Sequence, residues 1–157
     1  MKPDSARYKT KLILIIATLC LYACGVSREL SLFKSDGCSA FPDGTPEANT
    51  LWLSCCTAHD LAYWQGGTYQ QRLQADNDLQ ACVAQTGQEE IANLMLAGVR
   101  IGGTPYLPTT FRWGYGWAYP RSYKAQTPEE QALVQQRLAI FRQSDEYNPT
   151  EGPNEGN

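Results

Sequence analysis

Hydrophobic residues recur at a helical period through the middle of the chain, and the periodic stretches break at glycine pairs and prolines. Thr50 stands before Leu51-Trp52-Leu53, which predicts a helix capped by Thr50 and running to about Trp64. Gly66-Gly67 ends it. Thr68-Tyr69-Gln70-Gln71 has the form of a capping box, with a glutamine amide placed to reach back to the Thr68 backbone. A second helix is expected from there, carrying Leu73, Leu79, Cys82 and Val83 and ending near Gly87. So short a connection forces the two helices to run antiparallel. A third helix is expected over 89–99, with Ile91, Leu94, Met95 and Val99 on one stripe and Gly102-Gly103 as its close. Thr127-Pro128-Glu129-Glu130 opens a last helix running to about Arg142: a cap, a proline at the first helical position, and acids facing the positive end of the dipole. Between the helices, Ser35 to Pro46 is rich in glycine, proline and aspartate and reads as a loop. Residues 105–119 are aromatic and glycine-rich without a period, and 144–157 read as a disordered polar tail. No internal repeat is visible. The fold class expected is mainly α.

Composition changes this picture little, and the ends of the chain change it more. A length of 157 residues suits one domain, and 43% hydrophobic with 18% charged residues is ordinary for a globular chain. A net charge of −3 argues against nucleic acid as a partner. Lys2, Arg7, Lys9 and Lys11 precede the apolar run Leu12 to Ala23, which is shorter than the ~20 residues a membrane-crossing helix needs. A cleaved export signal over 1–23 is therefore expected. The run ends in Leu21-Tyr22-Ala23-Cys24-Gly25, which resembles a bacterial lipoprotein box and implies lipidation of Cys24, followed by a linker over 24–34. The competing reading is simple cleavage near Ala23 that leaves Cys24 as a thiol. The expected location is the outer membrane or a periplasm-facing surface as a lipoprotein, otherwise secretion.

Export makes the cysteines informative. With Cys20 lost and Cys24 lipidated, Cys38, Cys55, Cys56 and Cys82 remain, enough for two disulfides in an oxidising compartment. A bridge between adjacent Cys55 and Cys56 is disfavoured by strain. Metal binding by the four is the rival, but no C-x-x-C pair is present.

The stretch Cys55-Cys56-Thr57-Ala58-His59-Asp60-Leu61-Ala62-Tyr63 holds the chain's single histidine. On a helix Cys55, His59 and Tyr63 share a face, and Cys56 and Asp60 form a second line about 100° round. Asp76 on the next helix can meet His59 across the hairpin. In antiparallel register Cys55 and Cys82 both fall on the same side of that pair, about 6 and 9 Å along the axes. This predicts Cys55–Cys82, and Cys56 is then left for Cys38.

The string C-C-x-x-H-D-x-x-Y, followed by Ala75-Asp76 and Cys82, resembles the catalytic core of secreted phospholipase A2, over about residues 37–83. The resemblance implies a disulfide-linked helix hairpin of that type within a domain over 35–143, with a calcium loop and an additional C-terminal helix. It implies His59 as general base, Asp76 as the carboxylate orienting it, and Tyr63 as a hydrogen-bond donor to Asp76. Asp60 would bind Ca2+ together with backbone carbonyls of Gly37, Ser39 and Phe41. The activity implied is hydrolysis of the sn-2 ester of phospholipids by His-activated water, at a phospholipid membrane surface, by a monomer. This chain departs from the family in a calcium loop poorer in glycine, in Gly66-Gly67 where animal members insert a β-hairpin, and in Ala62 and Ala75 where many have a cysteine pair. These features suit a compact bacterial version.

Each residue alone has a plainer explanation. His59 and Tyr63 could be core residues, and Asp76 could pair with Arg72 four positions earlier. The aromatics Phe111, Trp113, Tyr115, Trp117 and Tyr119 suit a lipid interface and internal packing equally. A non-catalytic lipid-binding lipoprotein on the same fold is the alternative function.

Overall fold

The computed structural model describes residues 29–143. The expected export signal, the lipidation at Cys24 and the tail over 144–157 lie outside the described residues. Four helices follow one another: α1 (Leu53–Gln65), α2 (Tyr69–Gln85), α3 (Glu89–Gly102) and α4 (Pro128–Gln143). Among the described residues the only β pairing is one isolated antiparallel bridge between Leu30 and Trp117, so the chain is mainly α. No described helix is long and apolar enough to cross a membrane.

The α1–α2 hairpin is closed by both features read from its sequence. Gly66 adopts φ 63° at the end of α1, a left-handed conformation that suits glycine. Thr68 and Gln71 form the reciprocal capping box that opens α2. Cross-helix partners descend in register, with Cys55 against Cys82, His59 against Asp76 and Tyr63 against Arg72, as antiparallel helices require. The start of α1 differs from expectation. Thr50 does not cap it; the helix begins at Leu53 and its N-cap, Trp52, makes no side-chain cap bond. Tertiary anchoring overrides the local signal here. Trp52 is buried, its indole Nε1–H donates to the Pro42 carbonyl at 2.7 Å, and its backbone N–H donates to the Asp43 carbonyl at 3.0 Å.

Helix α3 runs three residues beyond Val99, to Gly102, with Gly103 as its C-cap. Its expected stripe splits in two. Met95 is buried against Cys55, Leu79 and Val83, whereas Leu94 is 58% exposed. Helix α4 opens as expected: Thr127 accepts from the Glu130 N–H, and Glu130 accepts from the Thr127 N–H. Glu130 is also buried and takes both ends of the Arg121 guanidinium.

The disulfides are Cys38–Cys56 and Cys55–Cys82. They sit in a core with Trp52, Leu79, Val83, Ala92 and Met95. A second core joins Leu30 and Phe33 to Trp64, Trp117, Val134 and Leu138, seating α4. The aromatic segment is split between buried and exposed side chains, and internal packing holds for the buried ones. Trp113 and Trp117 are buried, and their indole N–H groups donate to the carbonyls of Gly67 and Gln65. Phe111 and Tyr119 remain largely exposed.

Candidate functional site

His59 and Asp60 project from the middle of α1, one residue apart and both buried. Asp76, in the middle of α2, is completely buried. The hairpin register brings His59 Nε2 to 3.0 Å from Asp76 Oδ1. Tyr63, one turn after His59, donates its hydroxyl to the same oxygen at 2.6 Å. Tyr63 in turn accepts from Arg72 Nε at 3.1 Å. Burial, reinforced by the Asp76 charge, pushes the Tyr63 phenol well above its usual range, so it stays a donor at every working pH.

A carboxylate can only accept. The hydrogen bond therefore places the imidazole proton on Nε2 when Asp76 is ionised, and leaves Nδ1 as a free lone pair. Nδ1 has no hydrogen-bond partner among the described residues. His59 lines a cavity of about 380 Å³ that Asp76 does not reach, so the ring edge away from Asp76 faces that space. The volume is in the range of small-molecule sites.

The cavity is where the other predicted residues meet. Its walls include Gly37, Ser39 and Phe41 from the loop, Asp60 and Tyr63 from α1, and Leu94, Met95 and Val99 from α3. Gly37 has φ 78° and Ala40 φ 60°, so the loop takes two left-handed turns within four residues. Those turns are tied by Cys38 N–H donating to Asp43 Oδ1 at 2.8 Å and by the Cys38–Cys56 disulfide beside Asp60. Asp76 does not line the cavity, and its hydrogen bonds reach two residues that do, His59 and Tyr63.

Asp60 is a buried carboxylate with no Lys or Arg paired to it among the described residues. Burial pushes its pKa up to about 6, against the lowering effect of its hydrogen bond from Ser35. Ser35 Oγ donates to Asp60 Oδ2 at 2.6 Å. A buried anion without a cationic partner, beside a loop of carbonyl oxygens, is a donor set that fits a hard divalent cation. Among the described residues no group of three or more His, Cys, Asp or Glu could hold a metal. Any cation here would therefore rely on Asp60 and backbone oxygens. Of those, the Gly37 carbonyl already accepts from Ser39 N–H at 3.1 Å, which leaves its second lone pair.

Four participants were not singled out from the sequence as site residues. Ser35 holds Asp60. Arg100 places Nε 3.0 Å from Asp76 Oδ2. Arg72, raised only as a plain partner for Asp76, lies 3.8 Å from that oxygen but gives its hydrogen bonds elsewhere. Gly103 lies where a Cβ would collide with the Tyr63 ring. Arg72 is one helical turn from Asp76, but no local pattern marks the other three; the packing of α3 and of the 29–36 segment against the hairpin brings them in.

In comparisons with known proteins, no family model, no curated protein and no solved structure matches the chain.

Proposed function

We propose that the chain is a calcium-dependent ester hydrolase of the phospholipase A2 type, acting on the sn-2 ester of phospholipids at a membrane surface. The observation that carries the reading is the His59–Asp76 pair: an imidazole held through Nε2 by a buried carboxylate, with Nδ1 free toward an apolar-walled cavity. That arrangement suits a general base acting on water. Water attacks the ester carbonyl carbon while His59 Nδ1 takes its proton. Asp76 stabilises the imidazolium and holds its orientation, as the carboxylate of a hydrolase triad does. The C–O bond to the glycerol then breaks, the departing oxygen takes the proton back from His59, and a free fatty acid and a lysophospholipid leave.

Asp60 and carbonyls of the Gly37–Phe41 loop would hold Ca2+, which when bound polarises the ester carbonyl and offsets the charge that builds on its oxygen. Phe41, Leu94, Met95 and Val99, which line the same cavity as His59, offer an acyl chain an apolar wall.

One observation favours non-catalytic lipid binding instead. Ser35 occupies one oxygen of Asp60, so a cation must displace that bond or bind the other oxygen alone. The test is fatty-acid release from phosphatidylcholine and phosphatidylglycerol vesicles by the disulfide-bonded protein, with Ca2+ and with a chelator. The expected result is release that needs Ca2+ and is lost in His59→Gln. Vesicle binding without release by the folded wild type would replace hydrolysis with lipid binding.

A further inference from the structure

Asp76 is shared unevenly between its neighbours. Both aligned hydrogen bonds, from Tyr63 and His59, fall on Oδ1. Oδ2 is fully buried and has no aligned hydrogen-bond donor, yet Arg100 Nε stands 3.0 Å away and Arg72 Nε 3.8 Å away. Two guanidinium groups thus face the rear of one carboxylate, on the side opposite the imidazole.

They are not equivalent. Arg72 is buried, and its donors serve Tyr63 Oη, Tyr123 Oη and the carbonyls of Val99 and Arg100 at the end of α3. It ties α3 to the hairpin, and removing it would loosen the fold. The Arg100 side chain is 32% exposed, and its Nη2 donates to the Leu73 carbonyl at 3.1 Å and to Asn77 Oδ1 at 2.8 Å. These two anchors flank Asp76 on α2, so they set where Nε lies. The side chain is partly open to solvent, although Nε itself is buried.

We propose that Arg100 is a positioning residue for the His59–Asp76 pair. From α3 it holds the rear oxygen of Asp76 and thereby keeps the front oxygen in line with His59 Nε2. The inference rests on the hydrolase reading for its effect on rate, but not for its effect on the imidazole. The terminal torsion of an aspartate is broad, and two hydrogen bonds to one oxygen leave the carboxylate free to swing about that oxygen. A cation behind the second oxygen removes that freedom. A carboxylate oxygen held in line with Nε2 accepts from it, which keeps the His59 proton on Nε2 and the lone pair on Nδ1. Partners that orient metal-ligating histidines commonly matter by about 10- to 100-fold, and that scale is taken for the group that orients Asp76.

The experiment uses Arg100→Met, which keeps length without charge, and Arg100→Lys, which restores charge. Both are made in the disulfide-bonded protein and compared at matched thermal stability. His59 is the only histidine, so its imidazole nitrogens can be read by 15N spectroscopy without ambiguity. In Arg100→Met the expected result is kcat for fatty-acid release down about 10- to 100-fold with KM within about twofold. The Nε2–H signal is expected to move toward a mixture of tautomers, and Arg100→Lys to recover most of both. A folded Arg100→Met with unchanged kcat and imidazole spectrum overturns the proposal. So does a lysine variant as impaired as the methionine one, which would make Arg100 a structural staple. If the wild type releases no fatty acid, the hydrolase reading fails and the spectrum alone decides: a tautomer shift supports the clamp, and none refutes it.

Discussion

Gly103→Ala sets two effects of opposite sign against each other, and the structure says which prevails. Gly103 has φ −83° and ψ 12°, a conformation alanine adopts without strain. On backbone grounds alone the substitution would stabilise by about 0.4–1 kcal/mol, through a less flexible unfolded chain. The added methyl, however, would overlap Tyr63 Oη and lie 2.5 Å from Cε1 and 2.8 Å from Cζ. Carbon atoms in contact sit at about 3.5–4.0 Å, so something must move by roughly 1 Å. Neither side can give easily. The Tyr63 ring is 2% exposed, with the His59 ring centroid at 4.1 Å, Trp113 edge-on at 5.1 Å, and its hydroxyl bound to Asp76 and Arg72. The Gly103 backbone is fixed at both ends, donating to Val99 O at 2.9 Å and accepting from Trp113 N–H at 3.0 Å. Overpacking of this kind costs about 1–3 kcal/mol, so a net loss of roughly 0.5–2 kcal/mol is expected. Activity should fall further than stability, because the ring that yields is the one holding Asp76. Gly98→Ala is the internal control: its methyl meets nothing within 4 Å, and it should gain about 0.5–1 kcal/mol as a helical glycine replaced. Urea unfolding followed by tryptophan fluorescence, with disulfides intact, measures both. A Gly103→Ala protein as stable as the wild type would mean that Tyr63 is free to shift, and its role as a fixed donor to Asp76 would fall.

Three further expectations concern the same pair of helices. Asp76→Asn should cost about 3–5 kcal/mol by leaving buried positive charge uncompensated, read by urea unfolding. The amide oxygen should turn to face Arg100, placing its NH2 against His59 Nε2, so the proton moves to Nδ1; a 15N spectrum still showing Nε2–H would refute this tautomer argument. Replacing Cys55 and Cys82 together by alanine opens a link between residues 27 apart, and should cost about 3–4 kcal/mol in urea unfolding. With Ca2+ chelated, burial holds Asp60 near pKa 6 against an ordinary 3.8, so the folded chain binds that proton more tightly than the unfolded one. The stability this group supplies is present at low pH and lost as pH rises through about 6. The thermal stability of Asp60→Asn relative to wild type, both in chelator, should therefore rise between pH 4 and pH 7; a constant difference would contradict it.

What the sequence revealed is what short-range rules govern. The capping box at Thr68–Gln71 and the Thr127 cap of α4 depend on groups three residues apart, and they appear in the structure, where Glu130 also bonds back to the Thr127 N–H. The meeting of His59 with Asp76, and of Cys55 with Cys82, depends on one tight turn and a helical rise, and both could be worked out from spacing. Thr50 failed as a cap because Trp52, held by Pro42 and Asp43, fixes where α1 starts. The split of the α3 stripe, with Met95 inward and Leu94 at the cavity, was equally hidden, since periodicity does not say what a helix face meets. Arg100 and Gly103 act on Asp76 or Tyr63 across sequence gaps that no local pattern spans, whereas Arg72 stands one helical turn from Asp76 but gives its hydrogen bonds to Tyr63, Tyr123 and the end of α3.

Those long-range contacts explain how a wholly buried carboxylate can be held at the centre of a small helical domain. Desolvating a lone anion costs several kcal/mol, and its attraction to a cation offsets that only in good geometry. Asp76 meets the requirement from three sides: Tyr63 and His59 in front, Arg100 and Arg72 behind, and the Cys55–Cys82 bridge fixing the hairpin register that aligns them. Asp60, at the cavity wall, lacks such cationic company and accepts only from the Ser35 hydroxyl and the Asp36 backbone. One carboxylate thus has cationic side chains beside it and the other has none among the described residues. Under the proposed reading, that contrast suits Asp76 to orienting an imidazole and Asp60 to receiving a cation, on grounds separate from the sequence resemblance.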